Sequence, residues 1–142
     1  MLIQQPDDQV CAILGDILAT RLKVRGVAGV VAGGRVRDIS AISDLCRDDA
    51  FTVWSTGTST VGTGLEAKAW AYDVPLMVRR SEVRAGDVMI VDHAECGVVV
   101  IPQDHLQAVL EMLPGLKEAD DKVVADVKDG VAVAEAFKRH RN

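Results

Sequence analysis

Apolar residues recur at Val10, Ile13, Leu14, Ile17, Leu18 and Leu22, the three- and four-residue spacing that stacks side chains on one helix face, and Gly26 follows as a stop signal. The pattern predicts a helix over most of residues 10–25. Residues 27–32 (VAGVVA) are continuously apolar, rich in β-branched side chains, and bounded by Gly26 and Gly33-Gly34. That run is too short for a helix and reads as a buried strand ending in a glycine turn. Ile39, Ile42 and Leu45 restore helical spacing over residues 38–45, and residues 51–54 suit a further strand. Residues 55–64 (STGTSTVGTG) are polar, glycine-rich and without periodicity, so they read as a loop.

Three short runs rich in Val, Ile and Met follow at residues 74–78, 87–91 and 97–101, separated by the turn-forming SEVRAGD and DHAEC. They read as strands. Pro102 ends the last one, and residues 103–113 are amphipathic. The charged stretch 117–141 carries Val123, Val127, Val131 and Phe137 in a helix-like pattern interrupted at Gly130. Two terminal helices on the outside of the fold are expected, with no internal repeat or low-complexity segment.

Composition narrows this to a layered α/β protein. The 142 residues are 49% apolar but only 4% aromatic, which favours one domain with an aliphatic core of packed strands and helices. A net charge of −5 argues against a nucleic-acid partner, since such surfaces need clustered cations to replace counterions. The one basic cluster, Lys138, Arg139, His140 and Arg141, reads as a solvated helix end. Cys11, Cys46 and Cys96 are odd in number and widely spaced, which suits a reducing, cytoplasmic compartment. No run reaches the roughly 18 apolar residues of a membrane span, and MLIQQPDDQV has no signal-peptide pattern, so no membrane partner is expected.

Candidate chemistry gathers at Gly33-Gly34-Arg35-Val36-Arg37-Asp38, where glycines after a buried strand would let a ligand approach adjacent charges. Asp38 can give an oxygen to Mg²⁺ or Mn²⁺, and Arg37 can fork onto a carboxylate or neutralise an enolate. On spacing alone, an Arg-Asp pair before a helix is more often a salt bridge with an N-cap. Gly15-Asp16-Ile17-Leu18 could open a helix turn whose amides attract an anion, or Asp16 could be an ordinary exposed carboxylate. Elsewhere the signals are weak. His93, His105 and His140 have no zinc spacing, residues 55–64 are not a phosphate loop, and Asp92 and Glu95 suit a turn. The polar loop is best taken as an ordinary neighbour of the active site.

Asp16 followed after twenty residues by Arg37-Asp38, within GDILATRLKVRGVAGVVAGGRVRD and the looser VPLMVRRSEVRAGDVMIVDHAECGVVVIP, resembles the metal-site signature of the RraA-like and 4-hydroxy-4-methyl-2-oxoglutarate aldolase family. The likeness extends to about Leu113. It implies a swivelling β/β/α domain assembled as a homotrimer or dimer of trimers. It also implies a class II pyruvyl aldolase that cleaves 4-hydroxy-4-methyl-2-oxoglutarate or a related 2-oxo acid to pyruvate, with oxaloacetate decarboxylation alongside. By the same resemblance, Asp38 binds Mg²⁺ or Mn²⁺, Arg37 contacts the pyruvyl group, and Asp16 contacts metal-bound water. The amides of Ile17 and Leu18, after the Gly15-Asp16 pair, would hold the substrate carboxylate.

Two departures stand against that pattern. The family usually has Glu or Asp three residues beyond the metal-binding Asp, where this chain has Ala41; Asp44, about one turn further, is the candidate to compensate. Family members also carry a substantial segment before the part matched, which this chain is expected to lack, whether as a fragment, an alternative product or a natural short form. The alternative is a non-catalytic RraA-like regulator that works by protein contact. A methyltransferase has little support, because no glycine-rich cofactor loop follows a first strand.

Overall fold

A computed structural model of the chain describes residues 1–142 except Asp49, Leu65, Arg79 and Asn142. Its contacts divide into two compact units, Met1–Glu82 and Val83–Asn142. Strands and helices are mixed, as the expected layered α/β fold requires.

The first unit is built around β3 (Gly29–Val36). β1 (Leu2–Gln4) and β2 (Ala12–Leu14) pair with it in parallel along one edge, β1 opposite Val31–Gly33 and β2 opposite Arg35 and Val36. β4 (Thr52–Thr58) pairs in parallel along the other edge. Helices α1 (Asp16–Val24) and α2 (Ile39–Leu45) supply the crossovers. Leu14, Ala19, Val30, Ala32, Val36, Ile42 and Phe51 form the core, so both helices and the sheet share one apolar layer. Two further strands, β5 (Leu76–Val78) and β6 (Ser81–Val83), form a separate two-stranded ladder.

The gap between β1 and β2 is closed by a side chain. Gln5 is buried; its Nε2 donates to the Cys11 carbonyl at 2.8 Å, and its Oε1 accepts from the Arg35 amide at 3.1 Å. It thus does the work of a missing peptide group in the ladder. Gly34 makes room for it, since a Cβ there would lie 2.5 Å from Gln5 Oε1 and 2.9 Å from Ile13 Cδ1. Opposite, the β3–β4 register slips between Ala32 and Arg35, a bulge spanning Gly33-Gly34.

Several sequence expectations are corrected in this unit. Most of residues 10–25 is helix, as expected, but its start is not: β2 precedes α1, with Gly15 between them, because Cys11, Ala12 and Leu14 are buried beside β3. Ile17 and Leu18, which completed the predicted apolar face, are exposed, while the small Ala19 faces the core. Gly33-Gly34 lies inside β3 rather than at a turn. Residues 55–58 belong to β4, because pairing with β3 satisfies a polar backbone as well as an apolar one. Residues 81–83, placed in a turn by composition, form β6. The Gly26 stop does end α1: Gly26, at φ +82°, donates to Lys23 and Val27 donates to Leu22, the paired bonds of a Schellman motif.

In the second unit, β7 (Val88–Asp92) and β8 (Gly97–Ile101) form an antiparallel hairpin. Asp87 ties the start of this hairpin to its end, one carboxylate oxygen accepting from the Arg84 amide at 2.8 Å and the other from the Gln103 amide at 3.0 Å. A short 3₁₀ turn (Gln103–His105) leads into α3 (Leu106–Lys128). α3 runs through Pro114 without a break, so the division between terminal helices falls at Gly130 rather than after Leu113. There Gly130 at φ +90° donates to Val127 and Val131 donates to Asp126, a second Schellman motif. α4 (Val133–His140) packs on α3. The basic tail is not merely solvated: Arg139 and His140 reach Asp126 at 3.2 and 3.1 Å, and Arg141 reaches Asp120 at 2.9 Å.

Candidate functional site

The carboxyl ends of parallel strands are where crossover loops leave room for a ligand, and β3 delivers Arg37 and Asp38 to that end. Asp38 turns the chain into α2 with φ 58° and ψ 44°, a left-handed conformation that costs a non-glycine residue about 1–2 kcal/mol. Standing at the N-cap, it nevertheless makes no side-chain hydrogen bond to the helix. Its Oδ2 faces Arg37 Nε at 3.2 Å, with both side chains about two-fifths exposed. Of the two commonplace roles for such a pair, the ion pair is present and the cap is not. The carboxylate is left facing an open cleft.

Gly15 is what lets the pair come together with the start of α1. A Cβ on Gly15 would sit 2.7 Å from Asp38 Oδ2 and 2.9 Å from Arg37 Nε, closer than real contacts allow. Its backbone is extended, so the requirement is space and not conformation. The loop after β4 closes the other side. Ala12 donates to the Val61 carbonyl at 2.8 Å and Ser59 to the Val36 carbonyl at 2.9 Å, while a Cβ on Gly62 would lie 2.9 Å from Arg37 Nη1.

Two clefts result, with Arg37 in the wall of both. One, of about 580 Å³, is lined by Arg37, Asp38, Ile39 and the hydroxyl-bearing Thr58, Ser59 and Thr60. The other, of about 330 Å³, has Gly15, Ile17, Leu18, Arg21, Arg37 and Thr63 among its walls. Asp16 lines neither; its Oδ1 accepts the Ile17 amide at 2.7 Å. The structure therefore brings Gly15, Ile17, Leu18, Arg37 and Asp38 to one neighbourhood, and it engages the Ile17 amide with Asp16.

The sequence matches the RraA-like family, described as Aldolase/RraA, over residues 1–100. The chain belongs to the RraA-like family. A Halalkalibacterium halodurans protein provisionally named as a 4-hydroxy-4-methyl-2-oxoglutarate aldolase is 30% identical over 138 residues, covering 96% of this chain and 62% of that protein. The crystal structure of Streptomyces coelicolor RraAS2, described as an unusual member of the RNase ES inhibitor RraA protein family, superposes with a TM-score of 0.71 at 28% identity, over 84% of this chain and 58% of its own. An uncharacterized protein from Pseudomonas syringae pv. tomato shares the fold with a TM-score of 0.78 at 21% identity, over 97% of this chain and 62% of its own. The chain thus spans less than two thirds of the length of each of these relatives.

Within the RraA-like frame, the structure also shows what Ala41 and Asp44 do. Ala41 is half-buried on α2 and offers no oxygen, and Asp44 is exposed and paired with Arg47 at 2.7 Å. Among the described residues, no three His, Cys, Asp or Glu side chains gather to hold a metal ion. Sequence reasoning passed over Arg21, Thr63 and Gly62. Arg21 is hidden by its ordinary place on an amphipathic helix, and the other two by a loop whose only sign is its density of glycines and hydroxyls.

Proposed function

We propose that the chain carries the site of a divalent-metal-dependent lyase acting on a 2-oxo acid of the 4-hydroxy-4-methyl-2-oxoglutarate type, releasing pyruvate and also decarboxylating oxaloacetate. The observation that carries this reading is the Gly15 gap, which joins an uncapped Asp38 carboxylate, its Arg37 partner and a ligand-sized cleft at the strand ends. The resemblance to the named aldolase supports it.

Asp38 is the residue to hold Mg²⁺ or Mn²⁺. One carboxylate beside hydroxyls and open water suits a hard cation that keeps several waters and takes its remaining ligands from substrate, and it does not suit zinc. When bound, such an ion supplies Lewis-acid polarisation of the 2-oxo oxygen. Arg37 then has two duties: its guanidinium forks onto the pyruvyl carboxylate, and its charge stabilises the electron pair left on the pyruvyl fragment as the C–C bond breaks. Asp16 would contact water held by that ion, although it lines neither cleft as it stands. For the Ile17 amide to hold a carboxylate, Asp16 must first release it. A homotrimer or dimer of trimers in a reducing, cytoplasmic setting completes the proposal, and the free Cys11, Cys46 and Cys96 support the setting.

The test is pyruvate release from oxaloacetate with Mg²⁺ or Mn²⁺, with and without chelator. Asp38→Asn is expected to abolish turnover; undiminished, chelator-resistant turnover in that variant would sink the assignment. A second reading, a non-catalytic regulator that binds another protein, is favoured by Ala41 and by the likeness to RraAS2. A folded chain with no metal-dependent turnover would support that reading.

A further inference from the structure

The smaller cleft holds more positive charge than a pyruvyl group needs. Arg37 enters it from the end of β3, and Arg21 enters from α1. Ile17, Leu18 and Arg21 stand at i, i+1 and i+4, so Arg21 shares a helix face with both apolar residues. That face is turned away from the core: Ile17 is 78% exposed and Leu18 44%, while Ala19 on the opposite side is fully buried. Exposed Ile and Leu beside a cationic head make a wall suited to a short carbon chain that ends in an anion.

The two arginines differ in what already occupies them. Arg37 is held by Asp38 at 3.2 Å and pressed by the loop at Gly62. No hydrogen bond or ion pair among the described residues engages the Arg21 guanidinium, although nearby Lys23 is fully committed to Asp48 and the Leu45 carbonyl. A cavity of about 330 Å³ is at the lower end of the range for small-molecule sites and suits a ligand of a few carbons.

We propose that Arg21 is a specificity-determining residue that binds the far carboxylate of a dicarboxylic 2-oxo acid whose near carboxylate rests on Arg37. Ile13, Ile17 and Leu18 line the path between them. This rests on the lyase reading for the identity of the near group, but Arg21 acts on binding alone and takes no part in bond breaking. A monocarboxylic 2-oxo acid meets Arg37 and leaves Arg21 in water, whereas a dicarboxylic one meets both.

The experiment is calorimetric titration of the Mg²⁺-loaded chain with 2-oxoglutarate and with 2-oxobutyrate, which share the 2-oxo acid end and differ in the second carboxylate. The unaltered chain should bind 2-oxoglutarate about tenfold tighter or more, as expected for one charge-assisted contact. Arg21→Gln should erase that preference while leaving 2-oxobutyrate binding unchanged, Arg21→Lys should restore part of it, and Arg37→Gln should weaken both ligands. Retained preference in Arg21→Gln, or equal binding of both acids by the unaltered chain, would overturn the proposal. If the preference follows Arg21 but no pyruvate forms from oxaloacetate, the lyase reading fails and the dicarboxylate site stands.

Discussion

At the scale of single residues, the site is decided by what Gly15 lacks. Gly15→Ala would place a methyl group 2.7 Å from the Asp38 carboxylate, so the pair must shift. Pyruvate release should fall steeply while the thermal transition stays close to that of the parent, because the clash falls on half-exposed side chains and not on the core; turnover within a factor of two would show that catalysis does not need the gap. Arg37→Lys keeps the charge and loses the fork. One charge-assisted bond of about 1.5–3 kcal/mol is forfeited, a drop of about tenfold or more in kcat/KM. The steady-state comparison of parent and variant checks it, and unchanged kinetics would exclude a bidentate role.

Elements depend on side chains that stand in for backbone. Gln5 bridges β1 and β2, and replacing it with Leu strands the Arg35 amide and the Cys11 carbonyl. Gln5→Leu should cost about 1–3 kcal/mol in denaturant unfolding, and Gly34→Ala a similar amount by overpacking against Gln5. The double variant should cost less than the sum, since both act on one contact. Asp87 plays a comparable part between Arg84 and the turn before α3. Its two amide partners, Arg84 first and then Gln103, hold its pKa below the ordinary value of 3.8. A depressed folded pKa stabilises at pH above the unfolded value and is lost as pH falls through the folded one. Asp87→Asn should therefore be less stable than the parent at neutral pH, with the difference closing below about pH 4; a difference that stays constant down to pH 2 would contradict this.

These bridges also explain what could be read in advance. α2, β8 and both glycine stops were legible because each is specified locally: a short helical period, a run of valines bounded by turn residues, and glycines at positive φ. β1, β2 and the course of β3 through Gly33-Gly34 were not: the partners of β1 and β2 are distant in sequence, the apolar spacing around β2 fits a helix equally well, and a glycine pair reads as a turn. Gln5 looked like any polar residue of an N-terminal stretch. At the site, the Arg37-Asp38 pair was visible as a motif, whereas Arg21 required knowing which face of α1 turns to the core.

On the scale of the whole molecule, no helix among the described residues is long and apolar enough to cross a membrane, and net charge is −5. An acidic chain whose basic cluster at residues 138–141 is largely paired with Asp126 and Asp120 should not retain single-stranded RNA at moderate salt, and salt-sensitive retention would count against both functional readings. β3 also sets the order in which protons leave the first unit. It is the strand common to all three parallel ladders, so its amides should exchange with deuterium only in the rare openings that dissolve the unit. Arg35 is the exception. Its amide proton is held by a glutamine side chain rather than by a neighbouring strand, so a rotation of Gln5 alone is enough to release it, and it should exchange well ahead of Val30 and Ala32 on the same strand.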